Sequence, residues 1–212
     1  MIRILVVDDH AIVREGLKQI LSDVEDMSVL AEAANGQEAL DKIRRATFDV
    51  ILMDISMPGR SGLEILKDIK GEHPKLPVLI LSMHPEEQYA IRALRAGAAG
   101  YMNKAGAPDE LIGAIRKVSA GRKYVSPSVA EKLAFELGTD SEKLPHEQLS
   151  DREYQVMLML ASGRTVSEIA DELCLSVKTI STYRARIMEK MNLKKNAELT
   201  LYAVQNHLLQ EP

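Results

Sequence analysis

The chain has 212 residues, 46% hydrophobic and 27% charged, which is enough for two domains with sizeable cores. No apolar run approaches the roughly 18 residues of a membrane span. The single cysteine, Cys174, excludes an internal disulfide and a cysteine-rich zinc site. A net charge of −4 excludes a uniformly basic nucleic-acid binder, yet residues 176–196 set six basic side chains against Glu189 alone.

The N-terminus MIRILVVDDH lacks the pattern of a signal peptide, so a cytoplasmic location without membrane attachment is expected. From there, short runs rich in Val, Ile and Leu alternate with amphipathic segments. Strands are predicted at 2–7, 28–33, 49–53, 77–81 and, more weakly, 98–102. Helices are predicted at 12–22, 37–46, 62–70, 86–95 and 109–119. In the first helix Ile12, Leu17, Ile20 and Leu21 share one face, with Arg14, Glu15 and Lys18 opposite. Five strand–helix units predict a (βα)5 doubly wound parallel sheet over residues 1–122. Such sheets carry their sites beyond the carboxyl ends of the strands.

Residues 123–148 change character. Gly, Ser and Pro punctuate a linker around one helix, 127–137. Residues 149–212 are helical only and predict an all-α, four-helix domain. Ser150 and Glu153 form a capping box and Gly163 ends that helix. A short helix starts near Val166–Ser167, a turn CLS follows, a longer helix is capped by Ser176, and a fourth is capped by Asn196. Short helix, tight turn and basic helix make a helix-turn-helix.

Five polar residues fall at one edge of the predicted sheet. Asp8 and Asp9 follow the first strand, Asp54 the third and Lys104 the fifth, while Ser82 ends the fourth. A lone acid after a strand is more often a helix cap, and a lone lysine is more often solvated. Together they have a chemistry. Three carboxylates repel unless a hard cation lies among them, and Mg2+ favours carboxylates, water and phosphate. Lys104 adds a positive charge, Ser82 a hydrogen-bond donor, and Asp54 becomes a nucleophile for a phosphoryl group. A phosphatase or phosphotransferase using an aspartyl nucleophile is the rival reading. It expects that nucleophile on the first strand, and a cap domain absent here.

On these residues the first 122 resemble the receiver domain of two-component response regulators. LSDREYQVM, SEIADELCLSVKTISTY and IMEKMNLKKNAEL resemble the LuxR-type helix-turn-helix of the NarL/FixJ family, nearest its GacA/UvrY-like group. The resemblance implies that Asp54 accepts phosphate from a sensor histidine kinase. Asp8, Asp9, Asp54 and the Ser56 carbonyl would bind Mg2+, Lys104 would pair with the phosphoryl group, Ser82 would move toward it, and Tyr101 would swing inward. No enzyme activity is implied beyond phosphotransfer to Asp54 and its slow hydrolysis. Ser56 and His84 flank the expected path of the hydrolytic water and are expected to tune that hydrolysis. Two positions depart from the wider pattern. Met83 replaces a small residue and is expected to shield the phosphoryl group. Ala105 replaces a proline that takes a cis bond, so the Lys104–Ala105 bond is either trans or strained.

In the basic helix Val177, Ile180, Ile187, Met188 and Met191 are expected on the buried face. Lys178, Ser181, Thr182 and Ala185 are expected to face base edges in a major groove. Thr179, Tyr183, Arg184, Arg186, Lys194 and Lys195 are better suited to phosphates. Cys174 reads as a small buried hydrophobe. Leu199, Tyr202, Ala203 and Leu209 of the last helix fit either a core stripe or the dimer contact of the resembling family, whose homodimers read two promoter half-sites on double-stranded DNA. A receiver that never meets phosphate, on a constitutive DNA binder, is a third reading. It expects loss of an acid, Ser82 or Lys104, and none is lost.

Overall fold

A computed structural model describes residues 1–138 and 144–209. The chain separates into two compact units, Met1–Phe135 and Glu136–Pro212.

The first unit is built on five strands: β1 (Ile2–Val7), β2 (Met27–Ala33), β3 (Val50–Asp54), β4 (Val78–Ser82) and β5 (Gly100–Asn103). All neighbouring strands are parallel, in the order β2-β1-β3-β4-β5. Helices α1 (Ala11–Ser22), α2 (Gly36–Arg45), α3 (Gly62–Glu72) and α4 (Glu86–Arg95) make the crossovers, and α5 (Pro108–Ser119) follows β5. The strand order reverses between β1 and β3, and a crevice opens there at the carboxyl ends.

Side chains alternate across each strand. Ile4, Val6, Leu52, Leu79 and Leu81 meet Leu21 of α1 and Leu111, Ala114, Ile115 and Val118 of α5 in one core. Leu5, Val7, Ile51, Met53 and Ile80 are buried on the other face, which α2, α3 and α4 cover with Ala39, Ile43, Ile65, Ile69, Ala90 and Ala93. Each fully buried Leu or Ile contributes about 1.5–3 kcal/mol, so the central strands are the rigid part of the unit. One expectation fails here. Ile12 is 88% exposed. The inward stripe of α1 is Val13, Leu17, Ile20 and Leu21, with Gly16 beside it. One residue is 100° of helix turn, which carries Ile12 out to solvent.

After α5 the chain returns to the β5 edge. The Tyr124 amide donates to the Ala99 carbonyl (2.9 Å), and Tyr124 pairs in parallel with Gly100. A Cβ at Gly100 would lie 2.6 Å from the Tyr124 carbonyl oxygen, so only glycine allows this approach. The Tyr124 hydroxyl bonds Glu110 of α5, and the Ser126 hydroxyl bonds Glu86 at the start of α4. Ser126 also accepts from the Val129 amide (3.4 Å) at the beginning of α6 (Pro127–Gly138). The linker expected at 123–148 is described except for residues 139–143, which lie outside the described residues.

The second unit has a 3-10 turn, Pro145–Gln148, and helices α7 (Asp151–Ala161), α8 (Val166–Glu172), α9 (Val177–Lys190) and α10 (Asn196–Gln205). The Ser150–Glu153 capping box is present, and Thr165 with Glu168 makes another at α8. Ser176 caps α9 by accepting from the Thr179 amide. The cap of α10 is Lys195, one residue before the one expected. Asn196 is already helical, and its side-chain oxygen accepts instead from Arg184 Nε (2.9 Å).

Cys174 is exposed and has φ 51°. Its amide bonds the Asp171 carbonyl and the Leu175 amide bonds the Ala170 carbonyl, the paired bonds that close a helix on a left-handed residue. That conformation turns the thiol to solvent while Leu173 fills the core. Val177 also leaves its expected face and is 50% exposed; Ile180, Ile187 and Met191 are buried. In α10, Leu199 and Ala203 are buried, so the core stripe claims them, and Leu201 and Val204 are the exposed apolar residues. Among the described residues no helix is long and apolar enough to cross a membrane.

Candidate functional site

The crevice between β1 and β3 gathers the expected polar residues. Asp54 is the last residue of β3, and Asp8 and Asp9 come just after β1. Ser82 ends β4, and Lys104 is one residue past β5. Lys104 Nζ lies 2.6 Å from Asp8 Oδ2 and 3.0 Å from Asp54 Oδ2, so it bridges the two buried carboxylates rather than standing in solvent. Burial pushes the Asp54 carboxyl above the ordinary carboxylate range, against the pull of the Lys104 ammonium; Asp8 adds a further upward push.

Backbone geometry locks the acids in place. The Ser56 amide hydrogen-bonds the Asp54 carboxylate, and the Gly62 amide donates to the Ile55 carbonyl (2.9 Å). A Cβ at Gly62 would collide with the Asp54 carbonyl oxygen, so the α3 start approaches this closely only as glycine. Asp8 Oδ1 accepts from the His10 amide (2.9 Å), and the Asp8 carbonyl accepts from Arg14 Nη1 (2.6 Å). Neither acid caps α1, whose cap residue is His10 without a side-chain bond.

The donor set suits a hard divalent cation. Ligand atoms of Asp8, Asp9, His10 and Asp54 all lie within 4.8 Å of one another. Asp9 Oδ1 is buried and makes no hydrogen bond, although the His10 Nδ1 ring nitrogen lies 2.9 Å from it. An orphaned carboxylate oxygen among three acids and one ammonium leaves negative charge to be neutralised, which an oxygen-preferring cation would do. His10 joins this cluster although the scattered histidines of the sequence did not suggest it. The readable signal was its place directly after two acids at a strand end.

The switch residues are linked to one another. Ser82 is fully buried, and its Oγ accepts from the His84 amide (3.1 Å). His84 Nε2 lies 2.9 Å from Ser56 Oγ, which ties the two loops flanking Asp54. Tyr101 is already inside, 2% exposed, with its hydroxyl donating to the His84 carbonyl (2.7 Å). Met83 is 67% exposed and so stands in solvent instead of closing over the carboxylate. There is no cis peptide bond among the described residues, so Lys104–Ala105 is trans.

On α9, Lys178, Ser181, Thr182, Ala185 and Arg186 are exposed, as are Lys194 and Lys195 beyond it; Thr179, Tyr183 and Arg184 are half-buried. Thr179 Oγ1 is engaged with the Ser176 cap (2.8 Å). Arg184 is tethered to Asn196, which leaves Arg186, Lys194 and Lys195 as the more accessible cations. Glu153 accepts from Lys190 (2.6 Å) and fixes α9 against α7.

Residues 4–116 match the family described as response regulator receiver domain, and residues 147–203 match bacterial regulatory proteins of the luxR family. The chain is 42% identical over 209 residues to response regulator GacA of Pseudomonas protegens, covering 99% of this chain and 98% of that one. It is 39% identical to response regulator UvrY of Escherichia coli, covering 98% and 96%. A structure of RcsB from Salmonella enterica bound to promoter rprA in the presence of phosphomimetic BeF3− superposes with a TM-score of 0.65 at 26% identity, covering 96% of this chain and 99% of that one. A LuxR-family two-component response regulator from Aurantimonas gives 0.60 at 38% identity, covering 66% and 99%.

Proposed function

The chain belongs to the two-component response regulators that join a receiver domain to a LuxR-type DNA-binding domain, and on that premise we propose that phosphorylation of Asp54 switches its binding to promoter DNA. Residues 1–122 act as receiver, 123–148 as linker and 149–212 as DNA reader. The observation that carries this reading is Lys104 Nζ held between the buried Asp8 and Asp54 carboxylates, beside an orphaned Asp9 oxygen.

Asp8, Asp9, Asp54 and the Ser56 carbonyl would hold Mg2+, which would offset the negative charge of an incoming phosphoryl group. An Asp54 carboxylate oxygen attacks the phosphorus of a sensor kinase's phosphohistidine. The new O–P bond forms as the P–N bond breaks, and the electron pair returns to the imidazole. Lys104 pairs with the phosphoryl oxygens, and the Ser82 hydroxyl turns to donate to one of them. That turn draws on His84, which Ser82 and Tyr101 both hold. Pro85, with φ −58°, stiffens the two-residue path from His84 to Glu86. Glu86 in turn grips Ser126 in the linker. The Ser56–His84 bond restrains both loops beside the scissile bond, and this pair sets the lifetime of the phosphorylated form. Beyond this transfer and its slow reversal by water, the protein is not an enzyme.

In the second unit, Lys178, Ser181, Thr182 and Ala185 meet base edges. Arg186, Lys194 and Lys195, with Thr179, Tyr183 and Arg184 nearer the helix flank, meet phosphates. A homodimer reads two half-sites. The structure of RcsB bound to promoter rprA in the presence of phosphomimetic BeF3− supports pairing a phosphorylated receiver with an engaged DNA reader.

The test is to treat the full chain with acetyl phosphate and Mg2+, then measure mass, oligomeric state and DNA affinity on one sample. One phosphoryl mass at Asp54 with rising dimer content and affinity is expected. Equal promoter affinity of the treated protein and Asp54→Ala would remove the switch. If exchanging both Ser56 and His84 leaves dephosphorylation unchanged, their tuning role is lost.

A further inference from the structure

The first two turns of α9 offer few groups that read bases by hydrogen bonds. Val177, the first residue of the helix, is half exposed, and the helix closes its buried side with Ile180, Ile187 and Met191 instead. The Thr182 hydroxyl donates to the Lys178 carbonyl (2.9 Å), so its donor is spent within the helix and its methyl is left on the exposed side. Ala185 offers only a methyl, and Ser181 is short. Lys178 is the long donor at the start of this face, and Arg186 lies along its edge toward the other end of the helix. The helix start is held rigidly, with Ser176 Oγ accepting from the Thr179 amide (3.0 Å), so Val177 has a fixed position at the end that enters a groove.

A major groove presents one apolar feature, the C5-methyl of thymine, and apolar side chains are its natural partner. We propose that Val177, with Thr182 and Ala185, reads thymine methyl groups, so that this chain selects half-sites by their methyl pattern more than by guanine contacts. Val177 is then a specificity-determining residue. This rests on the reading of α9 as the DNA-reading helix and names what that helix reads. An exposed valine at a helix start gains nothing in water and suits a strand better than a helix; against a thymine methyl it is desolvated from both sides.

The experiment starts with the full chain, phosphorylated with acetyl phosphate and Mg2+, selecting duplexes from a random-sequence library. The recovered duplex is resynthesised with deoxyuridine replacing thymidine at one position at a time, which deletes single C5-methyls. At one or more positions the wild type is expected to lose about three- to tenfold in affinity. Val177→Ala, which keeps the helix because alanine is the better helix former, is expected to bind the thymidine duplex weaker by a similar factor and to ignore deoxyuridine at that position. Thr182→Ser keeps the hydroxyl bond and removes the methyl, and is expected to lose sensitivity at a different position. The proposal is overturned if every deoxyuridine duplex binds the wild type as well as the parent, or if Val177→Ala keeps the full pattern of sensitivity. If no duplex is enriched and binding is blind to salt, the DNA reading itself falls, and this proposal with it.

Discussion

Substituting Asp9 by asparagine separates the site's function from its stability. In the absence of metal the crevice confines three carboxylates with a single ammonium, and Asp9 Oδ1 is buried without a hydrogen-bond partner. Two like charges about 4 Å apart repel by about 1 kcal/mol at water-like screening. Asp9 is partly solvated, with its side chain 24% exposed, so that screening applies, and removing its charge in Asp9→Asn is expected to raise metal-free stability by about 1 kcal/mol. Metal reverses the order. At Mg2+ about 100-fold above its dissociation constant, the wild type gains about 2.7 kcal/mol by mass action. If the variant binds about 100-fold more weakly, it gains only about 0.4 kcal/mol. Wild type then leads by about 1.3 kcal/mol, the sum of those effects. Urea unfolding followed by circular dichroism, with native-state exchange of the β1 and β3 amides to isolate the first unit, measures both states in EDTA and in Mg2+. The reasoning is refuted if metal-free Asp9→Asn is less stable than the wild type, or if Mg2+ stabilises both proteins equally.

Cys174 occupies a left-handed position, φ 51°, that glycine takes without strain; Cys174→Gly is expected to stabilise the second unit by about 1 kcal/mol, read as a shifted urea midpoint. Arg186→Ala is expected to weaken binding to all duplexes alike and to reduce the slope of log affinity against log salt by about 0.9, as for one lost phosphate contact; a change confined to one DNA sequence would contradict a phosphate role. Arg3, through its hydrogen bonds to Asp49, holds that carboxyl down to about 2. A depressed carboxylate adds stability above its unfolded pKa of about 3.9 and loses it as pH falls through the folded value. Between about pH 4 and about pH 2, Asp49→Asn should therefore flatten the acid limb of the stability curve, by less than about 1 kcal/mol because the pair is solvent-exposed; a limb as steep as that of the wild type counts against it.

What the residues determined by themselves was period and order. Runs such as VILMD and VLILS are short and rich in branched aliphatic residues, which favours a buried strand over a helix, and their alternation with helical patterns predicts a parallel doubly wound sheet. Parallel strands all point the same way, so Asp8, Asp54, Ser82 and Lys104, each at the carboxyl end of a strand, share one edge. Capping signals at Ser150 and Ser176 were equally legible, because a cap is a local bond between a side chain and an amide three residues on. What only the tertiary structure decided was direction and pairing. Ile12, Val177 and Cys174 all went outward where the apolar pattern put them inside. A hydrophobic stripe is about 100° wide, and one residue of phase, or one left-handed turn, moves a side chain off it. The Lys104 bridge, the Ser56–His84 bond and the grip of Glu86 on Ser126 join residues far apart in the chain. Such contacts depend on where whole elements come to rest, and no local spacing encodes that.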